Sequence, residues 1–160
     1  MMTTTTKLTR LEVEEQAAYD RGLDVQYTAP GDPRLKGEPA RAAWMRGRIT
    51  IYINRRLLEA EKLTLLLHER GHIETHNARW KRSDDASELS AWAWAYEYYL
   101  PTETLTEAAE AFYEGDALNV EALADHLGVT PAFVAGALTY YRTAARLLFE
   151  PEPVPRLRVI

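Results

Sequence analysis

The pattern of apolar and polar positions in the first third of the chain predicts one helix followed by a small sheet. Thr9 and Glu12 are spaced as in a helical capping box, and Gly22 is a typical stop for the helix that follows them. Three segments then show the alternation of apolar and polar residues that is typical of half-buried strands: residues 23–29, 42–45 and 48–53. Because only Arg46 and Gly47 separate the last two segments, these predict a β-hairpin.

The rest of the chain is predicted to be helical. Asn54 is expected to cap a helix over residues 55–75, which contains a run of apolar residues and is predicted to be the most buried helix. A second helix is expected to begin at residues 83–85 and to end at Pro101. Three more helices are expected over residues 103–114, 120–127 and 131–148. A small sheet followed by helices predicts an α+β fold.

The predicted buried helix contains an H-E-x-x-H motif, His68-Glu69-Arg70-Gly71-His72. Residues four apart share one face of an α-helix, so both imidazoles can bind the same cation. The glutamate projects about 100° around the helix from the first histidine, which leaves it beside the cation. A general base must lie there to take a proton from metal-bound water. The alternative is a pair of exposed helix histidines that interact with nearby Glu and Arg side chains.

A catalytic zinc site needs a third protein ligand and one open position for water. Glu88 lies on the next predicted helix, which a short connector would fold back antiparallel to the first, giving a His₂Glu site. His76 shares a helical face with His68, but it lies two turns, roughly 11–12 Å, further along, which is too far for one ion. Asp84 and Asp85 remain alternatives to Glu88 as the third ligand.

Four segments of the chain resemble the ImmA/IrrE family of metallopeptidases: residues 49–54, 68–72, 88–95 and 100–101. In that family a strand ends near an asparagine, here Asn54, and a helix with H-E-x-G-H follows. A second helix carries E-x-x-A-x-x-x-A, here beginning at Glu88, and a Leu-Pro pair closes the segment. The chain departs from the pattern at Arg70, where an apolar residue is usual, and at Trp92, where a small polar residue is common.

The resemblance implies a zincin-like fold and a Zn²⁺-dependent peptidase. Carried over by position, it implies zinc ligands at His68, His72 and Glu88, with Glu69 as the catalytic residue. Family members cleave or inactivate helix-turn-helix repressors of phage, mobile-element or stress-response genes, so the resemblance also implies such a repressor as the substrate. The rival interpretation is a non-catalytic regulatory protein that binds a repressor or DNA through its helical C-terminal half.

Composition narrows the class of protein and of partner. The 160 residues are 46% hydrophobic and 27% charged, as in one globular domain, and the absence of cysteine excludes disulfides and thiolate chemistry. A net charge of −5 argues against nucleic acid as the direct partner. Because the chain has no apolar leader and no long apolar run, we expect a cytoplasmic protein that does not bind membranes.

The predicted organisation is a peptidase core over residues 1–101, a helical segment over 102–150 packed on it, and a tail over 151–160. In the helical segment, Gly128, Thr130 and Pro131 are typical of the turn in a helix-turn-helix. The helix after this turn begins with small and apolar residues that offer almost no contact to bases or phosphates. We therefore expect it to pack or to bind a repressor, and not to read DNA.

Two further expectations concern the substrate and the core. If the strand over residues 48–53 lies at a sheet edge, it can pair with an extended substrate, and the flanking Arg46, Arg48, Arg55 and Arg56 suit an acidic segment. Most of the aromatic residues of the helix after the motif are expected to be core residues that pack against the motif helix, and the alternative is that they line a substrate pocket: Trp92, Trp94, Tyr96, Tyr98 and Tyr99.

Overall fold

The computed structural model describes residues 6–76, 85–148 and 158–159, and these have the α+β fold that the sequence predicts. The chain divides into two compact units, Met1–Leu66 and Leu67–Ile160. The larger sheet belongs to the first unit, and most of the helices belong to the second. Within the described residues, no helix combines the length and the apolar character that a membrane span requires.

The first unit begins with one helix and continues into a three-stranded sheet. Its elements are α1 (Arg10–Asp20), β1 (Leu23–Thr28), β2 (Ala40–Met45) and β3 (Arg48–Asn54), and α2 (Glu59–His76) begins in this unit and continues into the second. The predicted capping box is present, because the Thr9 hydroxyl accepts a hydrogen bond from the Glu12 N–H and the Glu12 carboxylate accepts one from the Thr9 N–H. A short 3₁₀ helix, Pro33–Leu35, lies in the loop between β1 and β2.

The sheet order β1-β3-β2 makes β3 the central strand. Ile51 pairs with Val25 of β1 in parallel and with Ala42 of β2 in antiparallel orientation. The condition for substrate pairing, an edge position of this strand, is therefore not met, since both of its sides are already hydrogen-bonded. Its residues 50–53 are all buried, which is typical of a strand that is covered on both faces of the sheet.

The hairpin turn between β2 and β3 is the one that the sequence predicts. Arg46 and Gly47 adopt φ angles of 52° and 78°, and a two-residue turn of this kind needs positive φ at both positions. Arg48 lies at this end of β3, whereas Arg55 and Arg56 follow its other end, about 23 Å away for seven extended residues. These arginines therefore do not form a single basic patch beside the strand.

The long helix α2 begins four residues later than predicted. The Asn54 side chain accepts a hydrogen bond from the Arg56 N–H at 2.9 Å and so forms a local turn instead of a helix cap. The helix starts at Glu59, where the Glu61 carboxylate accepts a hydrogen bond from the Leu58 N–H at 2.9 Å. An asparagine before an apolar run is compatible with either arrangement, and here the turn is formed.

The second unit continues from α2 with four further helices and short strands. These elements are α3 (Asp85–Tyr99), α4 (Thr102–Ala109), β4 (Tyr113–Glu114), β5 (Ala117–Leu118), α5 (Val120–Leu127), α6 (Pro131–Leu148) and β6 (Arg158–Val159). The helix predicted over residues 103–114 ends at Ala109, because a 3₁₀ turn and the β4–β5 hairpin follow. The division of the chain at residues 101 and 150 stays a prediction.

The bounds of α5 and α6 agree with the predicted helix pair. Asn119 accepts a hydrogen bond from the Ala122 N–H at the start of α5, and Gly128 ends that helix with a φ of 74°. Thr130 then accepts a hydrogen bond from the Phe133 N–H at 3.2 Å at the start of α6.

Two tyrosine hydroxyls connect this helix pair to α3. The Tyr99 hydroxyl donates to the Leu127 carbonyl at 2.6 Å, and the Tyr141 hydroxyl donates to the Leu100 carbonyl at 2.7 Å. The apolar faces of the pair are buried, with Phe133, Val134, Ala137 and Leu138 all at most 2% exposed. The helix pair and α3 therefore belong to one packed unit.

Candidate metal centre

The two motif histidines lie one turn apart on α2 and face the same side. His68 and His72 are buried, with 9% and 7% of their surfaces exposed, and their ring centroids are 4.6 Å apart. The i, i+4 spacing therefore brings both imidazoles together, as predicted. The alternative of two solvent-exposed histidines does not agree with this burial.

The carboxylate of Glu88, in the first turn of α3, joins the two imidazoles. One oxygen lies 2.9 Å from Nε2 of His68, and the other lies 2.9 Å from Nε2 of His72. One ligand atom from each of the three residues can be chosen so that all lie within 4.8 Å of one another. Two imidazole nitrogens and a carboxylate oxygen at this separation are a candidate metal site.

Of the other residues considered as a third ligand, only Asp85 has a side chain that the structure describes. Asp85 is described and exposed, and it is not a member of the cluster. Asp84 and the side chain of His76 lie outside the described residues. Among the described acids, Glu88 is thus the one that the helix packing brings to the histidine pair.

Burial changes the protonation of this site. The pKa of His68 is lowered to about 4, mainly because burial penalises the charged ring and next because of the neighbouring His72, while the Glu88 carboxylate acts in the opposite direction. The ring is therefore neutral near pH 7, which is the form of histidine that binds a metal.

Glu69 lies beside the candidate metal site. Its carboxylate oxygen Oε1 is 3.7 Å from Nδ1 of His68, and its side chain is 12% exposed. This places a largely buried carboxylate next to the histidine pair, on the nitrogen of the ring that faces away from Glu88. The catalytic role assigned to Glu69 stays a prediction, as do the metal-binding roles of the three other residues.

Small residues allow α2 and α3 to approach closely at the site. A Cβ atom built at Gly71 would lie 2.8 Å from the carbonyl carbon of Ala91 and 2.9 Å from its Cα atom, closer than real Cβ atoms come to backbone. The buried residues of α3 are Ser87, Ala91 and Ala95. This contact is one turn from Glu88, so the missing side chain at position 71 lets the carboxylate reach the histidines.

Aromatic residues of α3 contact the motif helix, as predicted, but none of the five is fully buried. All five are partly exposed, because the small residues occupy the buried face of the helix. Three of them contact the motif helix, since the Trp92 indole is stacked on the His68 ring, and the Arg70 guanidinium lies 5.1 Å from the ring centre of Trp94 and 4.7 Å from that of Tyr98. Arg70, at which the chain departs from the family pattern, therefore packs against aromatic side chains of α3.

Comparison with known proteins adds one finding to this geometry. The family model of the IrrE N-terminal-like domain, peptidase family M78, matches residues 18–139, which is more than half of the chain. The chain belongs to this family. No curated protein and no solved structure gives a significant match.

Membership of the IrrE N-terminal-like family makes the chain a metallopeptidase of ImmA/IrrE type and confirms the predicted family. The matched residues include the whole histidine motif, Glu88 and the turn between α5 and α6. An α+β chain with a small N-terminal sheet and two histidines in a candidate metal site agrees with a zincin-like fold.

The sequence did not predict the roles of two residues near the site. Gly71 was read only as part of the motif, although a glycine inside a helix costs about 1 kcal/mol relative to alanine and thereby indicates a packing constraint. Trp92 was expected to be a core residue, but its indole is stacked on the His68 ring, with centroids 4.1 Å apart. Its position four residues after Glu88 was the available signal.

Proposed function

We propose that the chain is a zinc-dependent endopeptidase that hydrolyses a peptide bond in a protein partner, with a helix-turn-helix transcriptional repressor as its substrate. The observation that carries the proposal is the convergence of Nε2 of His68, Nε2 of His72 and the Glu88 carboxylate. The reaction then takes place in the cytoplasm, where such a repressor acts.

The donor set fits a catalytic zinc ion. Zinc in hydrolases is held by two imidazoles and a carboxylate in many sites, at bond lengths of about 2.0–2.2 Å, with one position left for water. The Glu88 side chain is 41% exposed, so the site is accessible from solvent on this side. When bound, the ion supplies Lewis-acid polarisation of the peptide carbonyl and lowers the pKa of water toward about 7.

The protein side chains carry out the remaining tasks. His68 and His72 offer buried nitrogen ligands, and Glu88 offers a carboxylate oxygen. Glu69 accepts the proton of the attacking water and returns it to the nitrogen of the leaving amine. The side chain of Glu69 is 12% exposed, so few bulk waters compete with the attacking water for its carboxylate.

The choice of a protein partner is supported by the surface of the helix pair. Among residues 131–144 of α6, the exposed ones are uncharged: Pro131, Ala132, Thr139 and Thr143. A DNA-reading helix needs cationic or amide side chains at such positions. Together with the net charge of −5, this favours a protein partner over nucleic acid. The repressor as substrate class rests on the resemblance to ImmA/IrrE proteins.

The proposal is tested with the full chain, added Zn²⁺ and a purified repressor from an adjacent gene. Metal analysis should give one zinc per chain in the wild type and in Glu69→Gln, but much less in Glu88→Gln. Cleavage products should form with the wild type and be absent with both variants. A repressor that loses activity equally with wild type and Glu69→Gln, without cleavage products, would instead indicate a non-catalytic regulator.

A further inference from the structure

The indole of Trp92 covers one face of the His68 imidazole. The two ring centroids are 4.1 Å apart and the ring planes differ by 19°, so the rings are stacked and nearly parallel. Trp92 lies four residues after Glu88 on α3, and both therefore project from one face of that helix toward His68. One turn of α3 thus supplies a carboxylate to the edge of the imidazole and an aromatic plane to its face.

This stacking restricts rotation of the imidazole about its Cβ–Cγ bond. A ring that is covered on one face by a parallel indole cannot turn through the perpendicular orientation without colliding with it. The ring is consequently held with Nε2 toward Glu88, 2.9 Å from the carboxylate oxygen. A histidine that binds a metal must keep this nitrogen aimed at the ion.

Metal-binding histidines are usually oriented by a hydrogen bond from their second ring nitrogen. In His68, the Nδ1 atom lies 3.7 Å from a carboxylate oxygen of Glu69, which is too far for a hydrogen bond. Stacking therefore supplies an orienting contact that does not depend on the position of Glu69.

Trp92 is itself held in position by aromatic neighbours in the same compact unit. Its ring is stacked with Tyr96 at 6.0 Å and tilted against Phe133 at 6.2 Å between centroids. Phe133 lies on α6 and is 2% exposed, so it provides a rigid support. A row of rings thus leads from the buried face of α6 to the imidazole.

From these contacts we propose that Trp92 is a positioning residue that fixes the ring of His68 for metal binding. This inference rests on the proposed metal site. It also accounts for a tryptophan at a position where the ImmA/IrrE pattern commonly has a small polar residue. Trp92 contacts neither the ion nor the substrate in this role, and it acts only through His68.

The test measures Zn²⁺ affinity by calorimetric titration of the metal-free full chain, with the visible spectrum of the Co²⁺ form as a second readout. Trp92→Leu keeps an apolar side chain but removes the flat ring, and Trp92→Phe restores a ring that can stack. Trp94→Leu is the matched control, because Trp94 lies on the same helix and contacts Arg70 and Tyr98, 5.1 and 4.7 Å away, instead of the imidazole.

We expect Trp92→Leu to weaken Zn²⁺ binding by about 10- to 100-fold, as loss of an orienting partner does, and to alter the Co²⁺ spectrum. Trp92→Phe should recover most of the affinity, and Trp94→Leu should bind Zn²⁺ as the wild type does. Unchanged Zn²⁺ affinity in Trp92→Leu, or equal losses in Trp92→Leu and Trp94→Leu, would overturn this inference but would not contradict the proposed zinc site. Failure of the wild type to bind Zn²⁺ would overturn both.

Discussion

Replacing Gly71 with alanine is expected to separate the two helices that form the candidate metal site. The added Cβ atom would lie 2.8 Å from the carbonyl carbon of Ala91 and 2.9 Å from its Cα atom. Non-bonded carbon atoms pack at about 3.5–4.0 Å, so α2 and α3 would have to move apart by roughly 0.7–1 Å. The obstacle is backbone, and it cannot rotate away as a side chain can.

This displacement is large compared with what a metal site tolerates. Glu88 lies one turn before Ala91 and moves with it, whereas metal–ligand distances vary by only about 0.2 Å in well-formed sites. We expect Zn²⁺ affinity to fall by about 10-fold or more, which is the effect of disturbing the support of a ligand. Overpacking should also lower the free energy of unfolding by about 1–3 kcal/mol, although alanine is the better helix former.

The assay compares Zn²⁺ titration and urea unfolding of the wild type, Gly71→Ala and Ala18→Val. Ala18 makes a control for overpacking because it is fully buried on α1, in the other compact unit. The control should lower the free energy of unfolding by about 1–3 kcal/mol but change Zn²⁺ affinity by no more than about 2-fold, as expected for a substitution on an element that supplies none of the described contacts of the site. A stable Gly71→Ala variant with wild-type Zn²⁺ affinity would refute the argument that the helix approach sets the ligand geometry.

Three further predictions concern the base, the metal and a buried cation. The Glu69→Gln variant should bind Zn²⁺ as the wild type does, but it should cleave the repressor about 10²–10⁴-fold more slowly. A cleavage rate near that of the wild type would show that another group is the base. Zn²⁺ at about 1,000 times its Kd should raise the free energy of unfolding by about 4 kcal/mol. Removal of the metal with a chelator should therefore lower the Tm of the wild type by about 10 °C and hardly change the Tm of Glu88→Gln. Arg70→Ala should lower the free energy of unfolding by about 2–4 kcal/mol in urea, because Arg70 is 3% exposed and its guanidinium lies over the rings of Trp94 and Tyr98. A loss below about 1 kcal/mol would contradict this role.

Local chemistry made several features of this protein predictable from sequence. The capping box at Thr9 and the positive-φ turn at Arg46 and Gly47 each depend on residues within three positions of one another. The bounds of α5 and α6 followed in the same way, from caps and stops adjacent to each helix. The meeting of His68 and His72 required only the helical period, and no knowledge of the rest of the fold.

Other features depended on which segments pack together, and sequence pattern alone did not determine them. Alternation showed that β3 is a strand, but the pairing of both its sides is set by contacts with β1 and β2, which are distant in sequence. On α3, hydrophobicity favoured burial of the large rings, whereas close approach to α2 requires the small residues Ala91 and Ala95 on the inner face.

The distinction between local and tertiary contacts also applies within the candidate metal site. By itself, the sequence determined that two imidazoles share a face, because covalent spacing and helical geometry leave no other arrangement. Only the tertiary structure decided that Glu88 joins them and that Trp92 is stacked on one of them. Those contacts depend on how closely two helices approach, and this distance is set by the volume of the residues between them, notably the absence of a side chain at Gly71.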